Sequence, residues 1–393
     1  KLLHAEGGLD FINGVFGRMD TTRALADDNM PGMHSVSAPF LSVAGKFRKE
    51  IDLPLFHAAR ITDLATARYA IQEGLLDMVG MTRGHIADPN IVSKLSRGEE
   101  DRIRPCTGAS YCLTPQRTCI HNPSIGREAT FNHHIEISES PGKKVVVVGG
   151  GPAGLEVARV SAARGHKVTL FEATGKLGGQ IGLATFNEGR RELGAIAGWL
   201  EAEVGHLGVT IHYNRLADAA DVLEESPDVV VVATGGLPAV EGFTGSDLCL
   251  STWDVMDGGN MPKGDVLVYD ETGTSAGTST AEVMAQHGAT VELISPDDKM
   301  GMDLPYIESV ATRRSFQKLG IRVTVDHTIS SVESHNNRKK VVLRSMVSDA
   351  TSERVVDHVE VEKGTYPLDD VFHDLLNQSR NLGRLDLDAF VAG

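Results

Sequence analysis

Residues 143–172, KKVVVVGGGPAGLEVARVSAARGHKVTLFE, constrain this chain more than any other stretch. Val145 to Val148 is a β-branched apolar run that predicts a buried strand. Gly149, Gly151 and Gly154 follow it in the spacing G-x-G-x-x-G. Leu155 to Arg164 predicts a helix of small apolar residues, Val168 to Phe171 the next strand, and Glu172 stands directly at that strand's end. Each part has a physical task. The first glycine makes the tight turn, the second lets backbone approach a pyrophosphate, and the third lets the helix pack on the strand. The helix N-terminus faces the phosphates, and the acid accepts hydrogen bonds from the ribose. Because strand, helix and acid all fall where the glycines require them, the segment predicts a dinucleotide site rather than a bare βαβ unit.

A chain of 393 residues has room for two or three domains. The net charge of −15 argues against nucleic acid as a partner. No apolar run approaches a membrane span and no signal peptide is visible, so neither a membrane nor export is expected. Three of the four cysteines, Cys106, Cys112 and Cys119, crowd into one short stretch. That clustering suggests ligands rather than a disulfide framework, and hence a reducing cytoplasm. The chain opens at Lys1, as if inside a helix, and stops at Gly393 with no closing element. It is expected to be part of a longer protein.

Residues 1–105 read as alternating strand and helix. Strands are expected at Asp10 to Gly14, Leu53 to Ala58 and Leu76 to Met81, and helices at Phe40 to Lys49, Thr62 to Glu73 and Ile91 to Arg97, with a loop over 27–40. Such repetition suits the last strands of a parallel (β/α)8 TIM barrel, whose first five or so strands would be missing. Residues 106–142 are an irregular, cysteine-bearing segment. A first Rossmann unit takes 143–240, and a second Rossmann-like unit takes 241–366. The second has a strand at Val266 to Tyr269, a turn over 270–282, then a helix and a strand at Val291 to Ile294. From 367 the chain turns helical, the start of a return to the first unit. The fold class is therefore α/β.

This order of motifs resembles the NADH:flavin oxidoreductase family of the trimethylamine dehydrogenase and 2,4-dienoyl-CoA reductase type. In the segments FHAARITD, VGMTRGHIADP, RPCTGASYC, CIHNPSIGREAT and SRNLG it is most similar to the N-methylproline (stachydrine-pathway) demethylases. The resemblance implies FMN at the C-terminal face of the barrel, with Arg60 and Arg83, just past two strands, as cofactor-binding residues. A guanidinium fork suits a phosphate. Ala59 stands where the family often has glycine. The resemblance also implies an iron–sulfur cluster on Cys106, Cys112 and Cys119. Here Ala109 replaces the second family cysteine, and only six residues separate Cys112 from Cys119. Three thiolates suit a [3Fe–4S] cluster, or a [4Fe–4S] cluster with His121 or Ser110 as a further ligand. Zinc, or no metal at all, are the alternatives.

By the same resemblance the first Rossmann unit takes FAD, or ADP alone, through Gly149, Gly151, Gly154 and Glu172, with Gly179 and Gln180 of the Gly-Gly-Gln loop beside the pyrophosphate. The second unit lacks the glycine fingerprint, and Asp270 and Glu271 put negative charge where a phosphate would sit. It reads as a Rossmann shell with weakened or lost NAD(P)H binding. His57, inside a strand, is expected to face either a flavin or the core. The implied activity is oxidative demethylation of an N-methyl amine such as N-methylproline, with electrons leaving to an external acceptor, for instance an electron-transfer flavoprotein. The alternatives are an NAD(P)H-dependent 2,4-dienoyl-CoA or enoate reductase and an inactive nucleotide-binding fragment. A cytoplasmic homo-oligomer is expected.

Overall fold

The structure is a computed structural model that describes residues 6–259 and 261–384. The expected helical opening at Lys1 and the end at Gly393 lie outside the described residues. The rest falls into two compact units. One takes 6–133, 183–196 and 239–364; the other takes 134–182, 197–238 and 365–384.

The first unit begins with three parallel strands in sequence order, Ile12–Gly14, Leu55–His57 and Met78–Val79, paired Ile12 to Leu55 and Phe56 to Met78. Helices Leu41–Arg48 and Leu64–Gln72 form the crossovers. Asp63 starts the latter, its Oδ1 accepting the Thr66 N–H at 2.7 Å, a cap that satisfies one of the helix's orphan donors. Leu41, Ala44, Leu55, Ile61, Ala70 and Leu76 close over one another as the local core. The expected loop over 27–40 is shorter than read, because the turns Thr22–Ala24 and Leu25–Asn29 are helical, the first capped by the Thr21 side chain.

Further on, the same unit builds a five-stranded parallel sheet in the order Arg322–Thr324, Thr290–Ile294, Asp265–Asp270, His358–Glu362, Leu250–Ser251. Strand alternation decides what covers each face. Val266, Val268, Val291 and Leu293 pack against Ala281 and Met284 of helix Ser275–Gln286 and Phe316 of helix Tyr306–Leu319. Leu267, Tyr269, Val359 and Val361 point the other way. They meet Val341, Leu343 and Val356 of an antiparallel three-stranded sheet. Its first hairpin turns on Asn336 and Asn337, both at positive φ, which suits the twist of a two-residue turn. The expected turn over 270–282 is a correction: helix Ser275–Gln286 already starts at Ser275. The Thr274 side chain accepts the Ala276 N–H, and small residues let this turn of helix pack closely.

The second unit carries a four-stranded parallel sheet in the order Thr210–His212, Lys167–Phe171, Lys144–Val148, Val229–Val232. This is the doubly wound arrangement that the glycine motif demands, with helix Pro152–Ala163 as the first crossover. No helix among the described residues is long and apolar enough to cross a membrane.

Candidate flavin, cluster and dinucleotide sites

The glycine turn of the second unit is built from local constraints. Gly149 sits at φ +106, and a Cβ there would run into the Ala233 carbonyl oxygen. A Cβ on Gly154 would run into the Gly149 carbonyl oxygen, so the helix can lie this close to the strand only with glycine at that position. Gly151 is the N-cap of helix Pro152–Ala163, and no atom lies within 4 Å of where its Cβ would stand. No side chain caps this helix. Its first N–H groups therefore face the open side of the turn, the arrangement that receives phosphate. Gly178 and Gly179, at φ +104 and +50, fold the Gly-Gly-Gln loop against it. The Gly178 N–H donates to the Gly150 carbonyl at 2.9 Å, and a Cβ on Gly179 would stand 3.1 Å from the Gly151 Cα. The Gln180 amide reaches the Gly235 end of the Ala-Thr-Gly turn. Glu172, at the tip of its strand, accepts the Gly150 N–H at 2.9 Å and the Thr174 N–H and hydroxyl at 2.8 Å. It thus shapes the loop itself.

In the first unit the three clustered cysteines line one cavity with Arg83, Ala109, Ser110 and His121. All three are free thiols. Burial pushes the Cys106 and Cys112 thiols up; the Gly108 N–H and the Arg83 guanidinium pull Cys106 back down. A metal would displace those protons. Among the described residues, no three His, Cys, Asp or Glu side chains converge on a single-ion site.

Arg83, second residue of helix Thr82–Ala87, donates from Nη1 to the Pro31 carbonyl at 2.8 Å. Burial lowers its pKa, while the Cys106 and Cys112 sulfurs and Glu192 oppose that and Arg60 reinforces it. Arg60 is itself buried, in a turn where Ala59 and Arg60 both hold positive φ, +107 and +52. That strain at Ala59 is the physical cost of having no glycine there. The Arg60 guanidinium forms an ion pair with Glu192 and donates to the carbonyls of Ser35, at 2.9 Å, and Met33, at 3.3 Å. Burial raises the Glu192 carboxyl, against the pull of Arg60. Both arginines and the three thiols therefore belong to one neighbourhood. Glu192, far along the chain from its partner, has no signal in the sequence that would find it. His57 takes the core alternative: Nδ1 donates to the Gly14 carbonyl at 2.8 Å, the ring meets Phe16 edge-on, and burial lowers its pKa.

The second Rossmann turn is filled by its own acid. Asp270 is fully buried at the end of its strand, and Oδ1 accepts from the Thr272 N–H and hydroxyl and the Gly273 N–H, at 3.0–3.1 Å. A Cβ on Gly277 would stand 2.6 Å from the Asp270 Cγ, so this glycine makes room for a carboxylate. Burial pushes the Asp270 carboxyl up to about 6.

Strand, glycine turn, uncapped helix and parallel sheet define a dinucleotide-binding oxidoreductase class, and sequence comparison agrees. The profile of the pyridine nucleotide-disulphide oxidoreductase family matches residues 143–391, and the chain belongs to that family. It is 42% identical over its whole length to the multifunctional alkene reductase/demethylase OYE of Caballeronia cordobensis, covering 58% of that protein. It is 41% identical, again over its whole length, to the probable N-methylproline demethylase of Rhizobium meliloti (strain 1021), covering 59%. The chain thus spans under two thirds of the curated relatives it matches. Among solved structures, a 2-naphthoyl-CoA reductase in complex with 2-naphthoyl-CoA superposes with a TM-score of 0.84 at 25% identity, over 95% of this chain and 56% of that one. The resemblance to the demethylase branch is thereby borne out at the level of sequence kinship.

Proposed function

We propose that this chain is part of a flavin-dependent oxidoreductase that oxidatively demethylates an N-methyl amine of the N-methylproline kind. Its strands Ile12–Gly14, Leu55–His57 and Met78–Val79 are the last strands of a TIM barrel holding FMN. The observation that carries this reading is the meeting of Arg60, Arg83 and three thiols in one neighbourhood of the first unit. Kinship with two relatives named for demethylation supports the substrate class.

The chain's own residues would act as follows. Arg83, held by the Pro31 carbonyl and close to the cysteine sulfurs, would offer a fixed cation to a flavin phosphate. Arg60, fixed by Glu192 and two carbonyls, keeps the adjoining turn in its strained shape and adds a second positive charge. Cys106, Cys112 and Cys119 line one cavity and would hold an iron–sulfur cluster, for which thiolate is the usual ligand. A flavin bound there would supply the two-electron oxidant for an N-methyl amine, the carbon leaving as formaldehyde after hydrolysis. The thiol-lined cavity would hold the group that passes electrons to an external acceptor such as an electron-transfer flavoprotein. The first Rossmann turn holds FAD or ADP through its uncapped helix. The second, occupied by Asp270 under Gly277, is closed to the pyrophosphate of NAD(P)H. A cytoplasmic homo-oligomer completes the proposal.

Anaerobic titration of the purified flavoprotein tests it. N-methylproline is expected to bleach the visible flavin band and NADH to leave it nearly unchanged. Bleaching by NADH with no response to the amine would overturn the reading in favour of an enoate reductase.

A further inference from the structure

The cysteine cavity offers three thiols where a cubane cluster needs four ligands, and Ala109, which lines the same cavity, carries no donor. Building on the iron–sulfur reading, we infer that His121 supplies the missing ligand through Nε2, giving a Cys3His [4Fe–4S] site.

Three features single it out. His121 lines the same cavity as the thiols and is buried. Its Nδ1 lies 2.9 Å from the Pro105 carbonyl oxygen, which can only accept, so Nδ1 carries the proton and Nε2 keeps its lone pair. Metal-ligating histidines are oriented in this way, with the second ring nitrogen donating to a carbonyl or carboxylate. The loop around the ring is also pinned. The His121 N–H donates to the Cys119 sulfur at 3.4 Å, and the Asn122 side chain donates to the Ile86 carbonyl at 2.8 Å. The other candidates are committed elsewhere or carry no lone pair. The Ser110 hydroxyl donates to the Gly108 carbonyl at 3.1 Å and faces Gly32, where a Cβ would stand 3.2 Å from it. Arg83 is a donor only. An imidazole in place of a thiolate makes the site less negative and raises its reduction potential, as in other histidine-ligated centres.

The test uses the holoprotein purified without air, with 15N-histidine incorporated. The parent protein is expected to hold a full cubane complement of iron and sulfide. Once reduced, its electron spin resonance should carry a strongly coupled nitrogen. His121→Ala should lose that coupling and, in the oxidised protein, show the signal of a three-iron cluster. His121→Cys should keep the cubane at a lower midpoint potential. Ala109→Cys added to His121→Ala should restore four-iron loading. A parent with a full cubane but no strongly coupled nitrogen, or a His121→Ala protein that keeps the cubane unchanged, overturns the histidine ligand and leaves the cluster reading standing. A parent with no iron overturns the cluster reading itself.

Discussion

Glu360→Gln will raise the stability of this protein at pH 9 and leave it nearly unchanged at pH 4. Glu360 is fully buried on strand His358–Glu362, paired in register with Val268 on one side and Leu250 on the other. Its neighbours Val359 and Val361 point into the opposite face, and neither carboxyl oxygen has a hydrogen-bond partner. Burial, reinforced by the charge of Asp254, pushes its pKa up to about 8. A carboxylic acid whose pKa is higher folded than unfolded is protonated in both states at low pH and costs nothing there. Between its unfolded value, near 4.5, and 8 the unfolded chain releases the proton while the fold retains it, so stability falls as pH rises. Above 8 the full penalty applies, on the order of 5 kcal/mol by linkage. The amide cannot ionise, so the variant should lack this slope. Denaturant unfolding from pH 4 to pH 9 measures it directly. Parallel curves for variant and parent would mean that the Glu360 carboxylate is solvated in the native protein.

Two alanine substitutions in the first glycine turn are expected to fail in opposite ways. In Gly154→Ala the new methyl meets the Gly149 carbonyl oxygen, which is backbone and cannot swing aside. Helix Pro152–Ala163 must then lift from strand Lys144–Val148, at a cost of about 3 kcal/mol. The apoprotein should unfold at lower temperature. Gly151 has φ −72 and ψ 177, which any residue adopts, and open space around its Cβ position. Gly151→Ala should therefore fold like the parent yet bind FAD or ADP at least tenfold more weakly, because the methyl enters the space the pyrophosphate needs. Thermal unfolding of the apoproteins together with nucleotide-binding isotherms separates the two effects. Unchanged affinity in Gly151→Ala would remove this turn from the nucleotide site.

Features whose causes are local in the chain are legible in the sequence. The run Val145 to Val148, three glycines at fixed offsets and the acid Glu172 specify strand, turn, helix and strand, because φ, close approach and side-chain period are properties of neighbouring residues. Helix Ile91–Arg97 falls where its pattern puts it, and the helix expected over Thr62 to Glu73 forms as Leu64–Gln72 with Asp63 as its cap. The turn expected over 270–282 fails for a reason of the same scale. Its two glycines and its threonines look like loop residues, but Gly277 is needed where the helix passes over Asp270.

Written in the local sequence are thus the glycine turn, the strand and helix periods of the two parallel sheets and the crowding of three cysteines. Long-range packing alone sets the Arg60–Glu192 pair, the place of Arg83 beside the thiols, and His121 in their cavity with its proton on the nitrogen facing Pro105. The same holds for the buried carboxyls of Asp270 and Glu360. The reason is one of range. Turn geometry and side-chain alternation are written within a few residues, whereas ion pairing, ligand convergence and the desolvation of a charge depend on what distant segments pack above it.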